Sequence, residues 1–198
     1  MLNQPSLQLI LASASPRRRS LLAEAGFVFS VHPSEVDEDA IAAAAKLQAA
    51  ELALHLALAK AQDVADRFAD AVVLGADTVV ALGDQILGKP ADAEHARRML
   101  GSLSGTTHRV VTGVVVVCKA MRFSASASVE SIVKMRPLTA DEIDRYIAGG
   151  QWRGKAGGYG IQDADPFVQT EGCQTNIVGL PMKTTAKLLA DAGIRPSF

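Results

Sequence analysis

The stretch LASASPRRRSLLAEAGFVF, Leu11 to Phe29, decides how the chain begins to fold. The apolar run Leu7–Ala12 reads as a strand. Pro16 then opens a helix that runs to about Ala25, with Gly26 just past its end, as the helical preferences of proline and glycine require. Phe27–Val31 reads as a second short strand. Ser15 is placed to cap the helix. Arg17, Arg18 and Arg19 follow at the positive end of the helix dipole, where bare cations cost stability and an anionic ligand reverses the sign of that cost. They fall about 100° apart around the helix, so they cannot all face one ligand. The run is either a solvated helix face or part of an anion site, for which arginine is well suited by its bidentate geometry.

Working outward, HPSEVDEDA is a polar loop leading into one long helix, about Ala40 to Phe68. AVVLGAD, 71–77, is a buried strand, and TVVAL continues it or doubles back. GDQILGKP is a turn-rich hairpin, and Asp92 caps a helix to about Leu103. RVVTGVVVVC, 109–118, is the most strand-like run, with RFSASASVESIVKM, 122–135, as its antiparallel neighbour. Thr139 and Glu142 form a capping box for a helix to about Ala148. GGQWRGKAGGYGIQDADPF has no periodicity. Thr175–Val178 reads as a last strand and Pro181–Ala192 as a last helix. Strands alternate with helices and at least one pair is a hairpin, which predicts an α/β fold with a mixed twisted sheet. There is no internal repeat or flexible linker, and 1–198 reads as a single domain.

The bulk composition narrows the function. The 198 residues are 48% hydrophobic, enough for a proper core. The formal net charge is −1 and aromatics make up 5%, which argues against a general nucleic-acid binder or a base-stacking platform. An anion site must then be a local cluster. The two cysteines, Cys118 and Cys173, have no metal-ligand spacing and suit a reducing cytoplasm. The apolar run at the N-terminus is too short for a signal peptide. The apolar stretch 41–61 is interrupted by Lys46, Glu51, His55 and Lys60, too many charges and polar groups for a membrane helix.

Several stretches carry chemistry. Asp77 and Thr78 follow a buried strand, where ligands are commonly held; the carboxylate suits metal binding, proton acceptance or a local turn cap. Glu35, Asp37, Glu38 and Asp39 place four carboxylates in five residues, which either take a hard cation or form a solvated loop. Lys60 and Lys89 face phosphate or solvent. Gly149–Ala156 matches GxxxxGK but lacks the following Ser or Thr and follows a helix, which excludes a P-loop. The later glycines permit a close backbone approach, and Gln162 offers an amide that donates and accepts, as base reading requires. His32, His55, His95 and His108 make no ligand spacing.

Taken in order, LASASPRRRSLLAEAG, SEVDE, GADTVV, LGKP, LSGTTHRVVTGV, KAGGYGIQD and VGLPM resemble the Maf family of nucleoside triphosphate pyrophosphatases, from about Leu9 to Leu189. The resemblance implies a long mixed sheet with flanking helices and two lobes around a cleft, similar to the inosine triphosphate pyrophosphatases. It implies hydrolysis of dTTP and UTP, and of modified pyrimidine nucleotides, to the monophosphate and pyrophosphate, a divalent cofactor (Mg²⁺ or Mn²⁺), a cytoplasmic homodimer, and neither nucleic-acid nor membrane partners. By the same resemblance Asp77 is the proton acceptor. Arg18, Lys60, Lys89 and Lys155 face phosphate, with Ser15 beside them. Asp37 and Glu38 hold metal, and Arg17, Thr78 and Gln162 read the base. GGYG stands where many relatives have GAYG, and QWRGKAGG replaces a more acidic segment. The resemblance also carries an alternative, a regulatory protein of cell division, linked to septum formation, that binds nucleotide or a partner with little turnover.

Overall fold

The computed structural model describes residues 7–161 and 167–197. The expected α/β architecture is present. A seven-stranded mixed sheet has the order β2-β1-β3-β5-β6-β7, with β4 paired to β3. The strands are β1 (Leu9–Leu11), β2 (Ser30–Val31), β3 (Val72–Leu82), β4 (Gln85–Leu87), β5 (Thr107–Cys118), β6 (Phe123–Met135) and β7 (Val168–Glu171). The helices are α1 (Pro16–Glu24), α2 (Glu38–Ala44), α3 (Ala49–Arg67), α4 (Ala93–Leu103), α5 (Ala140–Ala148), α6 (Gln174–Val178) and α7 (Met182–Asp191). β1 runs parallel to β2 and β3; β3, β4, β5, β6 and β7 pair antiparallel.

β3 and β5 read as almost continuous apolar runs because both of their faces are covered. On one face α3 packs against Ile10, Val73, Val115 and Val117, then against Val79, Ala81 and Val111. On the other, α1 and α7 cover Leu9, Leu74, Val114 and Val116, while α4 and α5 cover Val80 and Val110. Asp77, Thr78 and Thr112 interrupt this apolar pattern at the middle of the sheet. No helix among the described residues is long and apolar enough to cross a membrane.

Two local expectations are corrected. The helix expected over 40–68 is two helices, α2 and α3, separated by extended residues at Ala45 and Gln48. Gln48 and Glu51 form a capping box that starts a new helix and outweighs the high helical propensity of the flanking alanines. Thr175–Val178 is not a strand but part of α6. Its Asn176 is fully buried and donates to the Val110 carbonyl and the Ser131 hydroxyl, so the segment lies across the face of the sheet. β7, a strand not expected from the sequence, follows directly on the stretch without periodicity; its four residues pair with the end of β6. Asp77-Thr-Val-Val-Ala-Leu82 continues β3 rather than doubling back.

The seating of α3 positions everything that follows. Ala53, Ala57, Lys60, Ala61 and Val64 form its buried stripe, at the spacing of one helical face. The sheet offers glycines beneath it. A Cβ on Gly75 would lie 2.3 Å from the Ala57 carbonyl oxygen, and one on Gly113 would lie 2.4 Å from that of Ala53. Small residues on both sides thus let helix and sheet approach until backbone nearly touches backbone.

Gly113→Ala should therefore lift α3 and destabilise the protein by about 1–3 kcal/mol or more, the range for overpacking a filled core. Gly101→Ala, on α4 with open space around its Cβ, should instead gain up to about 1 kcal/mol by helix propensity. Urea denaturation of the two variants checks the contrast.

Candidate active site

β3 offers one edge to β5 along most of its length. β1 pairs with β3 at 72–74, and β4 pairs with it at 80–82. Both must share the remaining edge, so that edge stays open between them. Asp77 and Thr78 lie in this gap. They point to opposite faces of the sheet, as successive strand residues must, yet both border one cleft of about 450 Å³.

On the α3 side, Lys60 and Asp77 are 3% and 4% exposed. Lys60 Nζ lies 2.6 Å from Asp77 Oδ1 and 2.9 Å from Glu38 Oε1. The other Glu38 oxygen accepts from Lys89 Nζ at 2.9 Å. The four groups form a continuous chain of alternating charge. Burial works to raise the Glu38 pKa, but the two lysines outweigh it and hold the carboxyl below its usual value. Lys60 arrives by the packing of α3, Asp77 by the open edge of β3, and Lys89 by the hairpin that includes β4.

On the opposite face Arg18 is buried. Its Nε donates to the Gly179 carbonyl at 2.8 Å, Nη1 to the Ser13 hydroxyl at 3.2 Å, and Nη2 to Thr78 Oγ1 at 3.1 Å. Burial lowers its pKa, opposed by the attraction of Asp77 and Glu38. Thr78 Oγ1 also meets Thr112 Oγ1 at 2.9 Å, and Thr112 donates to the Asn176 carbonyl. The VGLPM stretch thus supports the cleft through α6 and the Gly179 carbonyl. Ser15 caps α1 by accepting from the Arg18 N–H at 3.5 Å. Arg17 turns to the glycine-rich segment and donates to the Gly154 carbonyl at 3.0 Å.

Of the residues singled out in the sequence, Ser15, Arg17, Arg18, Glu38, Lys60, Asp77, Thr78, Lys89 and Lys155 all line the cleft. Asp37 does not. It caps α2, its Oδ1 accepting from the Ala40 N–H at 2.9 Å, and only its neighbour Glu38 faces inward. Gln162 lies outside the described residues. Among those residues no group of three or more His, Cys, Asp or Glu side chains gathers as a metal cage. Glu38 and Asp77 nevertheless meet at one lysine, and one or two carboxylates beside substrate phosphates are what Mg²⁺ ordinarily takes.

Sequence reading missed Arg153 and Tyr159, which also line the cleft. Arg153 stacks on Trp152, with its guanidinium carbon 4.9 Å from the ring centroid. Tyr159 lies in the glycine-rich segment, where no periodicity marks an inward residue. Its hydroxyl is 2.6 Å from Nε2 of the buried His108. Both cysteines are free, Cys118 buried and Cys173 half-buried.

A family model described as "Maf-like protein" matches residues 8–192. The chain is 44% identical to a dTTP/UTP pyrophosphatase of Symbiobacterium thermophilum over 188 residues, 94% of each chain. It is 47% identical over 191 residues to a dTTP/UTP pyrophosphatase of Rhodospirillum rubrum, covering 95% of this chain and 89% of the relative. It is also 44% identical to one from Pyrococcus furiosus, covering 92% and 94%. A crystal structure of a nucleoside-triphosphatase, a dITP/XTP pyrophosphatase from Mycobacterium abscessus, aligns with a TM-score of 0.46 at 13% identity over 94% of each chain.

Burial pushes the His108 pKa down to about 4. The folded chain therefore keeps this imidazole neutral while the unfolded chain protonates near pH 6.5. Stability from this group is full above about pH 6.5 and is lost as pH falls towards 4, by roughly 2–3 kcal/mol. In His108→Phe that part of the acid slope should vanish, as urea titrations at pH 7 and pH 4.5 would reveal.

Proposed function

This chain belongs to the Maf-like family, and from that premise we propose that it is a nucleoside triphosphate pyrophosphatase acting on dTTP and UTP, releasing the monophosphate and pyrophosphate. The relatives named above carry that activity in their names. The observation that carries the reading is the ion-pair chain Asp77–Lys60–Glu38–Lys89 at the open edge of β3, buried at Asp77 and Lys60 and exposed at Lys89, with Arg18 across the cleft.

A triphosphate brings about four negative charges into a cleft lined by six cations, Arg17, Arg18, Lys60, Lys89, Arg153 and Lys155. Cations fixed in place stabilise charge that develops on a departing pyrophosphate, at no cost of reorganisation during the reaction. Arg18 uses three of its five N–H groups to hold its place, which leaves two beyond those bonds. Asp77 orients and deprotonates the water that attacks the α-phosphorus, and Lys60 fixes that carboxylate in position. Glu38, with Asp77, would hold a divalent cation, Mg²⁺ or Mn²⁺, which when bound supplies further neutralisation of the phosphates. Thr78, Arg17 and Gln162 read the pyrimidine. Hydrogen-bonded readout rejects a wrong base strongly, because the mismatch leaves buried polar groups unpaired.

The test is pyrophosphate release from a panel of dTTP, UTP, CTP and GTP. Turnover of the first two ahead of the others is expected, and nucleotide binding without turnover would refute the enzyme reading. In Asp77→Asn, turnover should fall by about 10²–10⁴-fold while nucleotide binding persists. Near-normal turnover there would remove Asp77 as the base. Gln162→Ala should flatten the ranking of bases more than it lowers the best rate.

A further inference from the structure

Tyr159 is 6% exposed, lines the cleft, and turns its hydroxyl away from the charged groups, onto His108. The two rings meet edge-on, with centroids 5.5 Å apart at 84°. His108 is 2% exposed and stands on β5, two residues before Val110, on the sheet face opposite α3. Its Nδ1 has no hydrogen-bond partner among the described residues, so Tyr159 is the polar group that holds this ring. With its hydroxyl so engaged, Tyr159 presents ring carbon rather than oxygen to the cavity.

The surroundings give that ring a task. Val80, Val110 and Ile177 line the same cleft and belong to, or pack against, the same apolar cluster as Tyr159. Val80 lies three residues along β3 from Asp77, about 10 Å at the rise of a strand. That is comparable with the span from an α-phosphorus to a pyrimidine ring. The glycine-rich segment carrying Tyr159 is also tied by Gly157 N–H to the Gly88 carbonyl at 2.9 Å, by Gly160 N–H to the Tyr146 hydroxyl at 3.2 Å and by Arg17 to the Gly154 carbonyl at 3.0 Å. The Tyr159–His108 bond anchors it directly to the central sheet.

We propose that Tyr159, pinned by His108, is a positioning residue for the base-and-sugar end of the nucleotide, its ring completing an apolar wall with Val80, Val110 and Ile177. This deepens, and rests on, the pyrophosphatase reading above. Phosphate recognition and the chemical step belong to the charged side of the cleft; the wall fixes where the other end of the substrate lies. Without the hydrogen bond the packed ring loses its polar anchor to the sheet, and the loss appears in nucleotide affinity more than in chemistry.

The experiment compares wild type with Tyr159→Phe, His108→Phe and His108→Gln, using dTTP and UTP as substrates and inorganic tripolyphosphate as an inhibitor that has no base. Tyr159→Phe and His108→Phe should raise KM about tenfold, the worth of one buried hydrogen bond. Their kcat should stay within about threefold, and inhibition by tripolyphosphate should be unchanged. His108→Gln, which keeps a hydrogen-bonding amide, should recover part of the loss. An unchanged KM in Tyr159→Phe overturns the proposal, as does a parallel weakening of tripolyphosphate, which would mean general distortion of the cleft. Tyr159→Phe keeps the ring and its packing, so it carries the comparison if His108→Phe fails to fold. Equilibrium binding of dTMP separates this inference from the enzyme reading. About tenfold weaker binding in Tyr159→Phe, in a protein that releases no pyrophosphate, would uphold the wall and refute the activity. Absence of dTMP binding by wild type would overturn the wall, while the enzyme reading stands or falls on pyrophosphate release.

Discussion

The contact between Lys60 Nζ and Asp77 Oδ1, 2.6 Å apart and almost wholly buried, is the constraint on which the site depends. Removing two charges from water is expensive, and such a pair survives only with good geometry and further partners. Glu38 supplies the further partner for Lys60, and Lys89 in turn satisfies Glu38. The geometry comes from backbone. Lys60 shares a helix face with Ala53, Ala57 and Ala61, and that face rests on Gly75 and Gly113. A larger residue at any of these positions would carry the ammonium away from the carboxylate. Small residues in the middle of the core are thus part of the electrostatics of the cleft.

The sheet explains why a cleft exists at all. A strand of eleven residues, β3, is paired along one side by β5 and at the two ends of its other side by short strands. The uncovered middle exposes residues of both faces to one space. Two kinds of chemistry are therefore available within a single dipeptide. Asp77 belongs to the charged chain under α3, while Thr78 belongs to the hydrogen-bonded series Arg18, Thr78, Thr112 and Asn176 on the other side. The first favours phosphate and cation, the second fixes the arginine and the neighbouring α6. A polymer with simple alternation of side chains needs such an open edge to bring both sets to one ligand.

Much of this was legible in the sequence, and the failures have physical causes. β5 and α4 were readable because an uninterrupted valine run and an Asp cap leave few alternatives. Arg18, Lys60, Asp77 and Lys89 were each ambiguous in isolation, since spacing says nothing of convergence across 17 residues and more. It was the ordered set of motifs that singled them out. The break between α2 and α3 was hidden by alanine, whose propensity masks the Gln48 cap. α6 was mistaken for a strand because β-branched residues dominate Thr175–Val178, while the decisive feature was the buried Asn176 amide. Asp37 and Glu38 looked equivalent in a run of acids; the onset of α2 assigns one to the cap and the other to the lysines. Tyr159 gave no signal, because its partner His108 lies 51 residues away on β5.

The central claim is that Asp77 and its lysine direct water to the α-phosphorus of a bound triphosphate. Hydrolysis of dTTP in ¹⁸O-labelled water, followed by ³¹P resonance of the products, tests it most directly. The account predicts label in the nucleoside monophosphate and none in pyrophosphate. Label in pyrophosphate, or orthophosphate as the first product, would contradict it.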